Sequence, residues 1–146
     1  MSLSVKEKEL VSVGVSLAAG CKTCTNYHFK KVKGAGASDE EIEQAMTDGI
    51  AVRDKAKKIM ERHGFRLLGL KFARTEEGDE DNATETSRMK ELVSIASAFA
   101  VNCTSSLEKH LAAARNIGVA EDEIEAVLDL ARFIKGKADS YCCKLI

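Results

Sequence analysis

The sequence predicts an all-α protein made of two tandem three-helix repeats. The 146 residues contain no proline, and helix-forming residues dominate, so that only glycine and polar clusters interrupt the helical patterns. When the chain is shifted along itself by 82 residues, Cys21 falls on Cys103 and His28 falls on His110 without a gap. The same register aligns the segments 8–12 and 41–43 with 90–94 and 123–125. This agreement indicates an internal duplication.

We expect residues 1–146 to form a single domain, because a chain of this length holds one compact core. The first repeat is expected to span residues 5–74, and the second, degenerate repeat residues 88–146. Between them, residues 75–87 are acidic and polar, with one alanine as their only apolar side chain. Such a composition is typical of a linker.

The first helix of each repeat is predicted to be largely buried. From about Lys6 to Ala19 the apolar positions are dense, and part of this run alternates as a strand would. Its copy over residues 91–100 is rich in alanine and more clearly helical. Because a duplicated unit adopts one structure in both places, we predict a helix in both.

The second helix is predicted to begin at the cysteines. Gly20 and its counterpart Asn102 interrupt the first helix of their repeats, and both residue types are acceptable at a helix N-cap. Cys21 and Cys24 then lie in the first turn, where unpaired N–H groups favour a thiolate. We expect this helix to end near Gly34.

The third helix is predicted from a capping box. Ser38 and Glu41 have the spacing at which each side chain pairs with the backbone N–H of the other. The helical pattern continues to about Phe72, with an expected break near Gly49.

Composition and charge exclude several classes of function. The formal net charge is −1 with 31% charged residues, which gives no basic field for nucleic acid. The N-terminus lacks the apolar core of a secretory signal, and no stretch is apolar enough to span a bilayer. Five cysteines without an export signal favour a reducing, cytoplasmic location where thiols are catalytic, metal-binding or inert. We therefore expect neither nucleic acid nor membrane as a partner.

The run from Cys21 to His28 contains the residues that point to chemistry. On a helix, the spacings of Cys21, Cys24 and His28 place all three side chains on one stripe. An adjacent imidazole or a helix N-terminus lowers the cost of forming a thiolate, which is the sulfur nucleophile. The pattern predicts a redox-active pair: one thiolate attacks an oxidised substrate, its neighbour closes a disulfide, and a partner reduces it.

The same residues allow noncatalytic alternatives. Two thiolates and an imidazole are three of the four ligands that zinc prefers, so a zinc-binding or redox-sensing protein remains open. No second C-x-x-C supplies the fourth ligand at a usual spacing, and we expect no metal and no cofactor. Buried cysteines that merely pack are a further alternative. Candidates for a fourth ligand are Cys142, Cys143, His63 and His110.

Glu9 lies twelve residues before Cys21, and Glu91 lies twelve residues before Cys103. In a helix with apolar neighbours, Glu9 is a candidate to face the next helix and to shuttle a proton or fix the tautomer of an imidazole. The sequence alone, however, favours a carboxylate that faces water and interacts with the helix dipole, as a glutamate in the first turn of a helix usually does.

The remaining cysteines are weaker candidates. Ser106 stands where the second repeat would need a cysteine to pair with Cys103, so we interpret Cys103 and His110 as mostly structural. Cys142 and Cys143 are adjacent and would form only a strained disulfide ring. We expect one to point inward and one to be exposed, with a tail dithiol that relays electrons to Cys21 and Cys24 as the alternative.

A glutamate twelve positions ahead of C-x-x-C-x-x-x-H, followed by a D-E-E-I helix start, resembles the alkylhydroperoxidase AhpD-like branch of the carboxymuconolactone decarboxylase superfamily. The resemblance covers both repeats. It implies an all-α fold, homo-oligomers, and a thiol-dependent peroxidase or disulfide reductase acting on a hydroperoxide or disulfide with a reducing dithiol or disulfide-reductase partner. By this resemblance, Cys24 attacks the peroxide, Cys21 resolves, and His28 with Glu9 forms the proton relay.

The chain departs from this family in one detail, and the superfamily leaves one alternative. Some members carry a histidine between the two cysteines, where this chain has Lys22 and Thr23. The decarboxylase branch works without the cysteine pair, so a lactone enzyme with His28 or His110 as its base is the alternative. Apolar helix faces too numerous for a small monomer to bury also favour a homo-oligomer.

Overall fold

The computed structural model describes residues 3–71 and 85–146, and within these ranges it contains six α-helices and no strand. The all-α prediction is confirmed. Most of the predicted linker, residues 75–84, lies outside the described residues. None of the described helices is long and apolar enough to cross a membrane. The helices are α1 Val5–Ala18, α2 Lys22–Gly34, α3 Asp39–Leu67, α4 Arg88–Ala100, α5 Thr104–Asn116 and α6 Glu121–Cys143.

The two halves of the chain have the same local architecture. Helices α2 and α5 begin and end at positions that are 82 residues apart. The turns after them also agree, because Gly36 and Gly118 share a φ of 87°. These matches confirm the prediction of two tandem three-helix repeats, α1–α3 and α4–α6.

Helices α1 and α4 form the centre of the molecule. All residues from Leu10 to Ser16 and all from Glu91 to Ala98 are buried. Helix α1 packs on α2, α3, α4 and α6, and α4 packs on α1, α3, α5 and α6. A helix surrounded in this way is apolar on every side, which explains why the sequence of α1 resembles a strand in part.

Helix α3 is continuous, so the predicted break near Gly49 is wrong. A Cβ atom at position 49 would overlap the carbonyl oxygen of Gly14, and a Cβ at position 14 would lie 2.9 Å from the carbonyl oxygen of Ala45. The two glycines therefore permit close approach of the α1 and α3 backbones. The helix ends at Leu67, before the predicted end at Phe72.

Helix starts agree with the sequence at α3 and differ at α2 and α5. Ser38 and Glu41 form the predicted capping box. The N-caps of α2 and α5, however, are Cys21 and Cys103 rather than Gly20 and Asn102. The latter pair adopts positive φ values of 72° and 61°, a conformation that glycine accepts freely and asparagine tolerates.

Candidate active site

The two cysteines of the motif are joined at the start of α2. Cys21 and Cys24 form a disulfide, and their Cα atoms are 5.3 Å apart, within the usual range for such a bond. Cys21 is the N-cap, and its sulfur accepts a hydrogen bond of 3.1 Å from the backbone N–H of Cys24. Both residues are buried. The N-terminus of α2 therefore surrounds both sulfurs with partial positive charge, which favours a thiolate when the pair is reduced.

His28 lies one turn after Cys24 on the same helix and is held by a carboxylate from α1. The Nδ1 atom of His28 is 2.9 Å from the Oε2 atom of Glu9. Glu9 therefore faces α2, the functional one of the two predicted orientations. A carboxylate at Nδ1 favours the tautomer with a proton there, which leaves Nε2 as the proton acceptor. The edge of Tyr27 contacts the imidazole, with ring centroids 5.0 Å apart.

The carboxylate end of this pair reaches the protein surface. A surface cavity of about 510 Å³ is lined by Glu9, Tyr27 and Val5, with Lys30 and Lys31 at its edge. The side chain of His28 is 11% exposed, whereas that of Glu9 is 18% exposed. A proton on His28 thus has a short route through Glu9 to solvent.

The second repeat keeps the carboxylate and imidazole but not the disulfide. The Nδ1 atom of His110 is 2.8 Å from Oε2 of Glu91, and Thr86 donates a hydrogen bond of 2.6 Å to the other oxygen of Glu91. Burial by itself would raise the pKa of Glu91, but the hydrogen bonds from His110 and Thr86 more than offset it, so the pKa is lowered. Glu91 is therefore a buried carboxylate that stays ionised.

Cys103 occupies the same N-cap position as Cys21 and is a free, buried thiol. Its Sγ donates a hydrogen bond of 3.2 Å to the hydroxyl of Ser106. Burial raises the pKa of Cys103, but hydrogen bonds from Ser106 and Ser105 outweigh this effect and lower it. The second repeat thus has a single thiol with a lowered pKa. As the sequence predicts, Ser106 stands where a second cysteine would pair with it.

The other candidate residues lie apart from this centre. Cys142 and Cys143 are both exposed at the end of α6, so the expectation that one points inward is wrong. His63 lies inside α3, one turn before its end. No group of three or more His, Cys, Asp or Glu side chains among residues 3–71 and 85–146 is arranged to hold a metal ion.

Sequence reasoning missed two features of these sites. Tyr27 contacts His28, and its position next to the motif is the only signal that could have identified it. Asp48 of α3 lies beside the Glu91–His110 pair and interacts with the charges of both residues. No sequence spacing could have found Asp48, because the contact joins the third helix of one repeat to the site of the other.

Comparison with known proteins agrees with the two-repeat helical fold. A search of curated proteins found no significant match. The model of the carboxymuconolactone decarboxylase family matches residues 1–59 and 72–140, two tandem segments that contain most of α1–α3 and most of α4–α6. The chain therefore belongs to the carboxymuconolactone decarboxylase family.

Proposed function

We propose that the protein is a thiol-dependent peroxidase that reduces hydroperoxides, or a related disulfide reductase, through the Cys21–Cys24 pair. The observation that carries the proposal is the placement of both sulfurs at the N-terminus of α2, one turn from an imidazole held by a carboxylate. A structural disulfide needs neither a base nor a helix N-terminus. Both features together favour a pair that cycles between thiol and disulfide.

The first step is nucleophilic attack by Cys24. His28 accepts the thiol proton at Nε2, and the Cys24 thiolate attacks the terminal oxygen of the hydroperoxide ROOH. The O–O bond breaks, the sulfur becomes a sulfenic acid, and the alkoxide leaves as ROH with the proton from His28. Cys24 is assigned this role because the resemblance to AhpD-like proteins assigns attack to the second cysteine of the motif.

The second step closes the disulfide. The Cys21 sulfur attacks the sulfenic sulfur of Cys24, and the hydroxyl group leaves as water with the Cys21 proton. Over both steps the protein supplies two electrons and becomes the disulfide form of the structure. An external dithiol or a disulfide-reductase partner then reduces the bond by thiol–disulfide exchange and is itself oxidised to a disulfide.

Glu9 acts through His28 as a positioning residue. Its hydrogen bond at Nδ1 keeps Nε2 free for the thiol proton and stabilises the imidazolium that forms when this proton arrives. The surface cavity beside Glu9 gives the relay access to water. The equivalent Glu91 is more deeply buried.

We also propose that the protein forms a homo-oligomer. The last two turns of α3 and the residues after it expose large apolar side chains. Met60, Leu67 and Leu68 are 64%, 76% and 75% exposed. Apolar surface of this kind is unusual on a monomer and is typical of an interface. Sedimentation equilibrium of the full chain tests this expectation, and a monomer mass at micromolar concentration would contradict it.

Peroxide turnover with a dithiol reductant tests the proposed function. We expect Cys24→Ser to reduce turnover to the background rate, because a hydroxyl has little nucleophilic character at neutral pH. The matched control is Cys103→Ser, which removes the buried N-cap cysteine of the other repeat and should keep the wild-type rate. Full activity of Cys24→Ser would overturn the assignment.

Thiol alkylation and metal analysis separate the alternatives. A lactone enzyme with His28 or His110 as base would remain active after alkylation of every thiol, whereas the proposed peroxidase would be inactive. A zinc-binding protein would hold stoichiometric zinc after purification under reducing conditions. The proposal predicts metal-free protein with a Cys21–Cys24 disulfide that can be titrated.

A further inference from the structure

A second cavity, of about 560 Å³, lies between α3 of the first repeat and α4 and α5 of the second. Helix α3 forms one wall, α5 forms the other, and α4 contributes Lys90 and Ser94. Its volume is in the range of small-molecule sites. The Cys21–Cys24 pair is not among its lining residues, so an inference from this cavity does not rest on the proposed function.

The cavity carries an excess of positive charge. Four lysines line it, Lys55 and Lys58 from α3, Lys90 from α4 and Lys109 from α5, against two aspartates. The surrounding protein atoms and the positive charge of Lys55 lower the pKa of Lys109. These two lysines therefore approach each other from facing helices. An anion bound in the cavity would be attracted by both positive charges.

Hydrogen-bonding groups lie among these charges. Ser106, which is buried, and Ser105 present hydroxyls from the first turn of α5, and His110 lies one turn further on. Because His110 is held at Nδ1 by Glu91, its orientation is fixed before any ligand arrives. Hydroxyl, imidazole and ammonium groups around one volume are the donors that recognise carboxylate and phosphate oxygens.

Helix α6 is the counterpart of α3 and packs beside α2 of the first repeat, and some of its side chains differ from those of the cavity wall. Residues 48 and 51 of α3, an aspartate and an alanine in the cavity wall, correspond to Leu130 and Phe133 of α6. Lys58 corresponds to Ser140. Lys55 and Lys90 have lysine counterparts, Lys137 and Lys8, whereas Lys109 corresponds to Tyr27. The cavity therefore differs from the site of the first repeat at Lys58, Lys109 and the wall positions 48 and 51.

We propose that this cavity binds a small organic anion, recognised through its carboxylate or phosphate oxygens by the lysines of α3, α4 and α5 together with His110 and Ser106. The ligand is a solute of a few non-hydrogen atoms that fits between α3 and α5. In this proposal, the oriented imidazole of His110 binds a ligand and has no dithiol beside it.

Titration of isotope-labelled full-length protein, followed by amide NMR, tests the proposal. The probes are inorganic phosphate, succinate and the uncharged succinamide. We expect phosphate or succinate to shift the amides of Lys55, Lys58, Ser106 and His110 with saturation, and succinamide to leave them unchanged. Saturation by phosphate alone or by succinate alone identifies the ligand chemistry. Either result supports the site.

Three variants and one matched control locate the binding. Lys58→Gln and Lys90→Gln should each weaken the affinity for the binding anion about fivefold or more, because each removes a charged donor. Lys57→Gln is the matched control, since Lys57 neighbours Lys58, pairs with Glu61 and does not line the cavity. Ala51→Phe introduces the side chain that α6 has at the equivalent position, Phe133, and should abolish binding without a change of charge.

Two results would overturn the proposal. One is the absence of saturable shifts at these amides with both phosphate and succinate. The other is binding of the anions on the outer surface. Either an equal loss of affinity in Lys57→Gln and Lys58→Gln or full affinity in Ala51→Phe would show this. Amide spectra of the variants alone show that each is folded.

Discussion

Each repeat contains a carboxylate–imidazole pair, but the more exposed member of the pair differs between the repeats. In the first repeat, the side chain of His28 is 11% exposed and that of Glu9 18%. In the second, the side chain of His110 is 17% exposed and that of Glu91 only 4%. The imidazole of the first repeat is thus enclosed beside sulfur and exchanges protons through its carboxylate. The imidazole of the second repeat faces a cavity.

The backbones of the two sites are nearly the same, whereas their reactive side chains differ. Cys21 and Cys103 have nearly the same N-cap backbone, with φ and ψ of −100° and 102° against −94° and 95°. The difference in chemistry lies three residues later, where Cys24 in one repeat corresponds to Ser106 in the other. The duplicated backbone therefore orients an imidazole in both repeats. The side chain at position 24 or 106 decides whether a disulfide forms beside it.

The substitution Ser106→Cys tests most directly whether this one residue accounts for the missing disulfide. Because the backbone geometry at Cys103 matches that at Cys21, we expect the introduced cysteine to form a disulfide with Cys103 on oxidation. Peptide mass spectrometry without reduction should find this second bond, and thiol titration of the oxidised variant should find only Cys142 and Cys143 free. A Cys103 that stays reduced would show that the two sites differ in more than this residue.

The role of the imidazole in the first repeat is tested by His28→Gln. We expect peroxide turnover to fall about 100-fold, a typical contribution of a positioned general base. Glu9→Gln should lower the rate less, because the imidazole remains. His63→Gln removes a histidine far along α3 and serves as the control. A rate unchanged in His28→Gln would remove the proton relay from the proposal.

The contact between the first and third helices also differs between the repeats. Gly14 and Gly49 of the first repeat correspond to Ala96 and Ala131 of the second, both fully buried. Because a methyl group at position 49 would overlap backbone, Gly49→Ala should lower the free energy of unfolding by about 3 kcal/mol. Ala131→Gly should cost only about 1 kcal/mol. Urea unfolding measures both, and a stabilising Gly49→Ala would contradict the close approach of α1 and α3.

The smallest expected effect concerns an ion pair that each repeat carries. Arg88 pairs with Glu123, which is buried, and also with Glu7 of the first repeat. The equivalent pair, Lys6 with Glu41, is more exposed. We expect Arg88→Gln to cost about 1 kcal/mol at neutral pH, a value already reduced for solvent screening. Lys6→Gln should have little effect on stability.

The contribution of Arg88 should depend on pH. Hydrogen bonding to Arg88 lowers the pKa of Glu123, and the pKa of Glu7 is lowered because its bonds with Ser4 and Arg88 outweigh its burial. Carboxylates with a lowered pKa stabilise the fold above their ordinary value of 4.5 and lose this effect as the pH falls through the folded pKa. The stability difference between wild type and Arg88→Gln should therefore shrink below pH 4.5. A constant difference down to pH 2 would show that the effect is not electrostatic.

The sequence predicted the repeats, the capping box of α3 and the residues around the sulfurs, because each follows from spacing along one helix or from internal comparison. It failed at Gly49, where a glycine interpreted as a break instead allows two helices to approach. It also left the orientation of Glu9 open, since α1 is buried on nearly every side and its pattern has no single apolar face. The cavity between α3 and α5 was missed because its two walls belong to different repeats.

The central claim is that Cys21 and Cys24 form the redox pair and that the second repeat does not. Stoichiometric titration of the fully reduced protein with a hydroperoxide, followed by mass spectrometric mapping of thiols and disulfides, tests it most directly. The account predicts that one equivalent of hydroperoxide is consumed to form the Cys21–Cys24 disulfide, with Cys103, Cys142 and Cys143 still reduced. Consumption of the peroxide with both Cys21 and Cys24 still reduced would contradict the account.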